Sequence, residues 1–452
     1  MRYRILILLL MVLPGILFSQ NGEKQLTVVG DSLRGKVING EAIREVFGNV
    51  VITQKNVRIT CNRAIQHLSK NEVELIGNVI VTQDSIVVKS ERGYYFGDAE
   101  KTYSDTVIHL TNGSMDLLAD RGYYFIPEKR AFFLGNVLLT EDTTKVYSDS
   151  LTYFEKEDKA IAVGNVKVQD STTIIYADSL IHFQDDKNTF AFGNVKLVST
   201  ENNVQLFGSR LEDYGKLNDT KIFGSPALIQ IDTAKDGQVD TLMILSEMME
   251  AHKDSSKSLF ASDSVKILRG DFSSINNHTN YYKKDEHIKI YKTSEEDKQP
   301  ILWADNSQVT GDSIDIYLKN NQINLINIFH NCLIVSTIKD YDFRYNQISG
   351  DTIKLSFDDG KLIRTDVAAS VLSIYYMFED DEPNGLLKSS AERAKIYFSN
   401  NKVEDVKLYG SPASEYHPEG LVKGKEKSFT LPNFILYKNR PGKEYFLKYL
   451  KL

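Results

Sequence analysis

Cysteine, tryptophan and proline are scarce in this sequence: its 452 residues contain two cysteines, one tryptophan and nine prolines. With only Cys61 and Cys332, the chain has no disulfide framework; we expect two unpaired, partly buried thiols, and a single long-range bridge is the alternative. No CxxC pair, HExxH motif, GxSxG elbow or phosphate-binding glycine loop occurs, so metal-dependent, serine-hydrolase and nucleotide chemistry lack their usual signatures. No metal and no cofactor are expected.

Basic clusters are missing as well, and beyond the N-terminus there is no long hydrophobic run. The formal net charge is −7 and 42% of the residues are apolar, so the chain is a poor nucleic-acid binder but can bury a core. Tyrosine (24) and phenylalanine (22) are abundant. Together with the shortage of proline, they favour β-strands.

The N-terminal stretch MRYRILILLLMVLPGILFSQ has the order of a secretory signal peptide: basic residues, an apolar run and a small residue. We expect residues 1–19 to be this peptide, with cleavage after Ser19. The alternative is an uncleaved membrane anchor, since the run from Ile5 to Phe18 is only slightly shorter than a membrane span. Both interpretations indicate an exported protein.

The motif Gly-Asn-Val returns at a fixed interval. Its five copies are separated by 29, 58, 29 and 29 residues, so the period is 29 residues, with one cycle skipped at Thr106. Self-similarity of this kind indicates a repeat architecture. The motif glycines are Gly48, Gly77, Gly135, Gly164 and Gly193. Three further columns follow the period: Phe96, Phe125, Phe154 and Phe183; the acids Glu91, Asp120, Asp149 and Asp178; and Arg63, Arg92 and Arg121.

Each period contains two stretches of alternating polarity, such as KVYSDSLTYF and AIAVGNVKVQ, joined by polar spacers. Stretches of this length and composition are typical of strands. We therefore expect an all-β fold, an elongated β-jelly-roll or β-solenoid built on a 29-residue two-strand repeat. After the signal peptide, we expect an N-terminal repeat domain over 20–231, a more divergent repeat region over 232–422, and a basic, aromatic C-terminal tail over 423–452.

The repeat loosens after about residue 230, where other residues take the motif positions. Asp263-Ser264-Val265 and His330-Asn331 stand in the slots of Gly-Asn-Val, and Gly224-Ser225-Pro226-Ala227 matches Gly410-Ser411-Pro412-Ala413. The polar segment 232–257 is either a break or one more rung.

Side chains alternate between the faces of a strand, and the face that carries each motif glycine is apolar in every copy. The motif asparagines fall on the opposite face, where they suggest amide ladders. Glycine weakens a strand unless the chain bends or something approaches closely there, so the motif predicts one bend per rung beside a continuous apolar lining. The main lining residues are Val50, Ile52, Leu75, Val79, Val81, Phe133, Val137, Leu139, Val166, Val168, Val195 and Leu197.

Repeated A-x-x-GNV-x-V strands, alternating with A/S-D-x-L/A-x-Y strands behind a signal peptide, resemble the OstA family, which includes the LptA-like periplasmic domains of lipopolysaccharide transport. The resemblance covers residues 25–230 well and 231–420 weakly. The length and tail are similar to the larger OstA-like proteins of the Bacteroidota type. The resemblance implies a slightly open jelly roll that holds lipid A acyl chains in its interior. Such a protein is no enzyme; it is part of a periplasmic bridge that carries lipopolysaccharide to the outer membrane.

On this resemblance the apolar lining is the candidate lipid-binding surface, and Arg63, Arg92 and Arg121 are candidate phosphate contacts. Ordinary β-structure offers an alternative for each feature. The lining can be a packed core only, and each arginine can pair with a neighbouring acid such as Glu91 or Asp120. The phenylalanine column has the same two interpretations, and ordinary core stacking is favoured over lipid contact.

The exposed end strands of such a structure predict edge-to-edge joining. The partners expected are therefore lipopolysaccharide or lipid A, other transport components, and a second copy of the chain in a homo-oligomer. The rival classes are an exported structural or adhesive solenoid and, less favoured, a carbohydrate-active β-helix enzyme. An enzyme of that kind needs clustered carboxylates on one face, whereas the acidic column supplies one acid per rung.

Overall fold

The computed structural model describes residues 27–447 except 55–56, 202, 234–238, 253–257, 320–321, 381 and 400–401. These residues form 32 strands, two short α-helices and two 3-10 turns, so the all-β fold class predicted from the sequence is confirmed. The predicted signal peptide, residues 1–19, lies outside the described residues. None of the described helices has the length and hydrophobicity that a membrane crossing requires.

The chain divides into two compact units, residues 1–128 and 129–452. The first unit is antiparallel, and most strands pair with the strand that follows them in the chain. Its strands are β1 Thr27–Val29, β2 Ser32–Ile38, β3 Glu41–Gln54, β4 Val57–His67, β5 Glu72–Gln83, β6 Ile86–Phe96, β7 Lys101–Ser104, β8 Ile108–Thr111, β9 Met115–Ala119 and β10 Arg121–Phe125.

The second unit is antiparallel as well. Its first strands are β11 Arg130–Glu141, β12 Thr144–Phe154, β13 Lys159–Gln169, β14 Thr173–Phe183, β15 Asn188–Ser199, β16 Val204–Tyr214, β17 Asp219–Phe223, β18 Ala227–Thr233, β19 Val239–Leu245, β20 Met248–His252, β21 Ser258–Arg269 and β22 Phe272–Tyr282. Strands are present on both sides of the polar segment, and β18 pairs with β19 across residue 232. The predicted domain boundary at 231/232 stays a prediction.

The remaining elements of the second unit include both helices. The strands are β23 His287–Tyr291, β24 Ile301–Ala304, β25 Ser307–Thr310, β26 Ser313–Lys319, β27 Gln322–Thr337, β28 Tyr345–Asp358, β29 Lys361–Glu379, β30 Glu382–Ser399, β31 Lys402–Tyr409 and β32 Ala413–His417. The helices are α1 Glu419–Val422 and α2 Lys443–Leu447, and the 3-10 turns are Lys283–Asp285 and Glu426–Ser428.

Every Gly-Asn-Val motif forms a bulge with two consecutive residues in the left-handed region. In β13, Gly164 has φ 82° and Asn165 has φ 47°, and the pairing with β14 shifts register between Val163 and Val166. Glycine adopts a positive φ without steric cost, and asparagine tolerates it better than most residues. The bend that the motif predicts is therefore present in the structure.

Apart from the hairpin turns Asn39-Gly40 and Asp359-Gly360, the same two-residue conformation occurs at five further places among the described residues, where the sequence has changed. The pairs are Gly224-Ser225, Asp263-Ser264, His330-Asn331, Ala369-Ser370 and Gly410-Ser411. Sequence comparison identifies four of them, whereas Ala369-Ser370 carries neither glycine nor asparagine to mark it. At the skipped cycle the strand is interrupted instead: β7 ends at Ser104 and β8 begins at Ile108.

The acidic column supports these bulges. Asn165 Nδ2 donates to Asp149 Oδ2 at 2.9 Å, and Asn194 Nδ2 donates to Asp178 Oδ2 at 3.0 Å. A Cβ atom added to Gly164 would clash with the Asp149 carboxylate, so this close approach also requires glycine. These asparagines bond to acids of the preceding strand, and the amide ladders expected from the sequence are wrong for them.

The bulge lets both halves of a strand face one apolar core. In β13, Ala162 before the bulge and Val166 after it are buried in a single cluster with Leu180. Ala162 pairs with Leu180, and Val166 pairs with Ala177. The motif strand therefore has three residues between its buried positions and the partner strand has two, the extra residue being the bulge.

The C-terminal tail packs against the second unit. Its described part, residues 423–447, is called the strap here. Leu431 is buried with Val335, Ile374 and Tyr376, and Phe446 is buried in a separate cluster with residues of β16, β18 and β19. These partners lie on one face of the sheet, and the large core cluster that includes Ile328 and Ile353 lies on the other. This part of the sheet is therefore buried on both faces.

Gln347 holds the strap by its backbone. Its Nε2 donates to the carbonyl oxygen of Phe429 at 3.1 Å, and its Oε1 accepts from the N–H of Leu431 at 2.9 Å. The amide of this buried side chain thus satisfies one donor and one acceptor two residues apart, as a neighbouring strand would.

Gln308 repeats the arrangement further along the strap. Its Nε2 donates to the carbonyl oxygen of Ile435 at 2.9 Å, and its Oε1 accepts from the N–H of Tyr437 at 2.8 Å. Beyond this point Arg440 Nη1 donates to the carbonyl oxygen of Asp305 at 2.7 Å. The strap is therefore fixed at several places along its length.

We expect Gly164→Ala to destabilise the second unit by about 2 kcal/mol. Alanine is strained in the left-handed conformation that this position requires, and its Cβ displaces the Asp149 carboxylate. Urea unfolding measures the change. The control is Gly442→Ala, at a position with open space and no positive φ. In an Asp149→Ala background the cost of Gly164→Ala should fall to about 1 kcal/mol. An undiminished cost would show that the carboxylate does not require glycine.

We expect Gln347→Leu to loosen the strap, because the buried backbone groups of Phe429 and Leu431 lose their partners at a cost of about 1–3 kcal/mol each. Limited trypsin digestion should then cut after Lys425 or Lys427 faster than in the wild type. Gln184→Leu, far from the strap, is the control variant. Equal cleavage rates in all three proteins would contradict the role assigned to Gln347.

Candidate functional site

The predicted lining residues lie on the core-facing side of their strands, on both sides of the bulges. Eight of them are buried: Val50, Ile52, Leu75, Val79, Phe133, Val137, Val166 and Val195. Four are half-buried: Val81, Leu139, Val168 and Leu197. Their position on the core-facing side agrees with the prediction from the sequence. Lipid binding by these residues stays a prediction.

Burial along the inner face decreases away from the bend in β5, β11, β13 and β15, whereas in β3 both Val50 and Ile52 are buried. Val166, next to the bulge of β13, is 2% exposed, whereas Val168, two residues further on, is half-buried against the same cluster. In the first unit Val79 is buried and Val81 is half-buried in the corresponding places. In these four strands the inner face is closed at the bend and more accessible toward the strand end.

The first unit and the start of the second have small cores. In the first unit, seven buried side chains form the cluster, and half-buried Val28, Ile59, Val73 and Val81 pack around it. Cys61 belongs to this core, and burial raises the pKa of its thiol. Both cysteines are free and buried, in agreement with the expected unpaired thiols.

The core of the second unit beyond β15 is different because large side chains fill it. One cluster extends from Ala177 to Ala394, and Ile290, Ile314 and Ile328 within it are fully buried. Polar residues also enter this core. Asn276 Nδ2 donates to Ser274 Oγ at 3.1 Å, and Thr279 Oγ1 donates to Asn276 Oδ1 at 2.8 Å; all three side chains are buried.

The three candidate arginines lie on the outer face, opposite the lining. Arg63 precedes buried Ala64, and its Nη2 donates to Glu45 Oε1 at 2.8 Å. Its guanidinium also lies over the ring of Phe47, 5.1 Å from the centroid. Hydrogen bonds from Lys36 and Arg63 hold the pKa of Glu45 below its usual value. Arg63 thus pairs with an acid of the neighbouring strand β3, since the acidic column has Asn62 at the position beside it.

Arg92 and Arg121 also precede buried glycines, Gly93 and Gly122, and therefore point outward. Arg92 Nη1 lies 3.6 Å from Asp105 Oδ2 and donates to the Tyr94 hydroxyl at 3.2 Å. The structure thus does not bring the arginines to the apolar lining, and their role as phosphate contacts stays a prediction.

The phenylalanine column lies on the outer face as well, so its expected place in the core or on the lipid path is wrong. In the first unit the rings form a stack on β6, β7 and β10, with neighbouring planes 16–21° apart. Lysines cover two members: Lys101 lies over Phe96 and Lys159 over Phe154. The rings in the first-unit stack are Tyr94, Phe96, Tyr103, Tyr123 and Phe125.

The residues that precede the phenylalanines form a further column, which was not among the predicted site residues. Because strand faces alternate, these residues point to the core side, beyond the buried positions. They are Gln66, Tyr95 and Tyr124 in the first unit, and Tyr153 and His182 in the second. The 29-residue spacing would have found them, since each carries a polar group at the end of an otherwise apolar wall.

Two members of this column make hydrogen bonds within the second unit. The Tyr153 hydroxyl donates to Asp158 Oδ1 at 2.7 Å, and burial together with this bond raises the pKa of Tyr153. His182 Nδ1 lies 2.9 Å from Thr189 Oγ1, and burial lowers the pKa of its ring. The inner wall therefore ends in polar groups at its accessible margin.

One group of described side chains has the composition of a metal site. Asp219, Glu250 and His252 lie on the outer face of β17 and β20. His252 Nδ1 is hydrogen-bonded to Asp219, and Lys221 Nζ lies 3.3 Å from Glu250 Oε1. These contacts already pair the group as cross-strand ions, so the arrangement needs no metal ion to be satisfied.

The sequence and the fold were compared with protein families and solved structures. Residues 27–124 match the family model of OstA-like proteins, which confirms the predicted resemblance over this segment. The chain therefore carries an OstA-like segment.

Among solved structures, the chain is similar to the crystal structure of LptH, the LptA homologous periplasmic component of the conserved lipopolysaccharide transport device from Pseudomonas aeruginosa. The two share 16% identity over 31% of this chain and 84% of LptH, with a TM-score of 0.17. No curated protein matches the sequence.

His182 provides a pH test of the inner wall. Because its pKa is lowered from the usual 6.5, its contribution to stability is present above that value and is lost as the pH falls. Asp158 and Asp213 face it and oppose the shift without cancelling it. In urea unfolding at pH about 7.5 and about 5.5, His182→Gln should lose less stability than the wild type. Identical losses would contradict a partly buried, neutral ring.

Proposed function

We propose that this chain binds lipopolysaccharide through the acyl chains of lipid A and carries it through the periplasm as part of a β-jelly-roll bridge to the outer membrane. The observation that carries the proposal is the bent strand. Each Gly-Asn bulge directs both halves of its strand to one apolar inner face, and in β5, β11, β13 and β15 that face becomes more accessible with distance from the bend. The OstA-like match of residues 27–124 supports it.

The physical driving force is large enough. Burial of one methylene contributes about 0.8 kcal/mol, so shielding an acyl chain of a dozen carbons contributes on the order of 10 kcal/mol. The inner-face residues near the bends are mostly valine, alanine and glycine, and these leave space that larger residues would fill. Half-buried Val81, Leu139 and Val168 are the proposed contact points, because a lipid chain can reach them without displacing a packed side chain.

The lipid-binding part is proposed to be the inner face of β3–β6 in the first unit and of β11–β15 in the second. Beyond β15 the core is filled by large buried side chains, isoleucines among them, and contains the polar group Ser274, Asn276 and Thr279. That core favours a structural role for the later strands. The second candidate function, a structural exported protein, is therefore assigned to this region alone.

The polar margin suits an amphiphilic ligand. Tyr153 and His182 end the inner wall with groups that form hydrogen bonds, and Gln66, Tyr95 and Tyr124 hold the same place in the first unit. A sugar or phosphate headgroup would meet this margin while the acyl chains pack on the apolar wall. The outward-facing arginines can contact only a part of the ligand that lies outside this wall.

The edges of the strands offer sites for other transport components or a second copy. In the described residues β2 pairs with β3 alone and β31 with β30 alone. Both edge strands expose apolar side chains, Leu33 and Val37 on β2 and Val406 and Tyr409 on β31. Unpaired edges of this kind accept a further strand, and we propose that the bridge is built there.

Photo-crosslinking in cells tests the lipid path. A photoreactive amino acid replaces Val81 or Val168 on the inner face, and the matched controls replace Ile80 and Lys167, the outward-facing neighbours on the same strands. We expect adducts with lipopolysaccharide at the inner positions and none at the controls. A folded, exported protein without adducts at Val81 and Val168, or with equal adducts at all four sites, would refute the proposal.

A further inference from the structure

The C-terminal tail has a charge opposite to that of the rest of the chain. Its 30 residues, 423–452, contain eight lysines and arginines and two glutamates, a formal charge of +6. The whole chain carries −7, so the residues before the tail carry −13. The strap therefore places a basic segment on an acidic protein, and the lipid-transport proposal does not account for it.

Four lysines of the strap are exposed and make no ion pair with a described residue. They are Lys423, Lys425, Lys438 and Lys443. The acids around them are largely engaged: Glu419 and Glu426 bind Arg344, which leaves Glu444 as the remaining acid of the strap. The positive charge is thus available to an external partner.

The strap holds these charges in an extended ribbon. From Gln347 on β28 to the Phe446 cluster on β16, it crosses nine paired strands. At about 4.8 Å between strands, this path is about 40 Å long. Because Gln347, Gln308 and Arg440 fix the backbone, little conformational entropy is lost when the ribbon binds a surface.

Apolar side chains accompany the lysines on the exposed side. Leu421 just before the strap, and Ile435 and Tyr445 within it, are 39–57% exposed. An extended array of cations with interspersed aliphatic and aromatic side chains suits the interface of a bilayer, where the charges meet lipid phosphates and the apolar groups enter the headgroup region. A highly charged soluble partner would not require the apolar groups.

We propose that the strap docks this protein on a membrane surface that carries anionic lipid headgroups. The sheet beneath supports the ribbon, the lysines provide the attraction, and Ile435 and Tyr445 enter the interface. The proposal is independent of lipopolysaccharide binding, because the strap lies on the face opposite the core and the vesicles in its test contain no lipopolysaccharide.

Vesicle co-sedimentation of the purified mature chain tests it. We expect binding to phosphatidylcholine vesicles that contain phosphatidylglycerol, no binding to phosphatidylcholine alone, and release as salt is raised. Each lysine near an anionic surface changes partitioning about fivefold. The combined variant Lys423→Gln, Lys425→Gln, Lys438→Gln and Lys443→Gln should therefore reduce binding several-hundredfold.

The matched control changes four exposed lysines outside the strap to glutamine: Lys156, Lys187, Lys216 and Lys319. It has the same net charge as the strap variant and should retain most of the binding. Urea unfolding of both variants checks that the fold is retained. Equal losses in the two variants, or equal binding of the wild type to neutral and anionic vesicles, would overturn the proposal.

Discussion

The pair of left-handed residues at each bend is the constraint on which the rest of the structure depends. Without it a strand of this length would be straight and would present one face to one layer. With it, the two halves of β13 place Ala162 and Val166 in one core, and the acid of the preceding strand is held by the motif asparagine. The inner wall, its polar margin and the outward position of the aromatic stack all follow from this local conformation.

The same bend decides where sequence reasoning succeeds and where it fails. On the motif strand three residues separate the buried positions, an odd number, so simple alternation still assigns the lining correctly. On the partner strand two residues separate Ala177 from Leu180, and the alternation reverses at the bend. Counting straight on from Ala177 therefore places Phe183 inside, whereas the structure has it outside and puts His182 on the inner wall.

The strap depends on contacts that a repeat pattern does not record. Gln308 and Gln347 resemble ordinary polar strand residues until the backbone of the strap is beside them. A sequence signal exists nevertheless: ALI in β18, LMIL in β19 and ILW in β24 are consecutive apolar residues, whereas earlier strands alternate. Runs of this kind indicate burial on both faces, but they do not identify the segment that covers the second face.

The number of residues differs from bend to bend, whereas the strands on either side stay paired. One bend is a two-residue bulge, another is the gap between β7 and β8, and a third holds the nine residues between β23 and β24. In each case the flanking strands keep their pairing, so an insertion lengthens a corner without moving any side chain from one face to the other. Relatives of this protein can therefore lose the numerical period of their sequences while they keep the spatial order of their walls, and the corners are the natural places to graft a loop or an affinity tag.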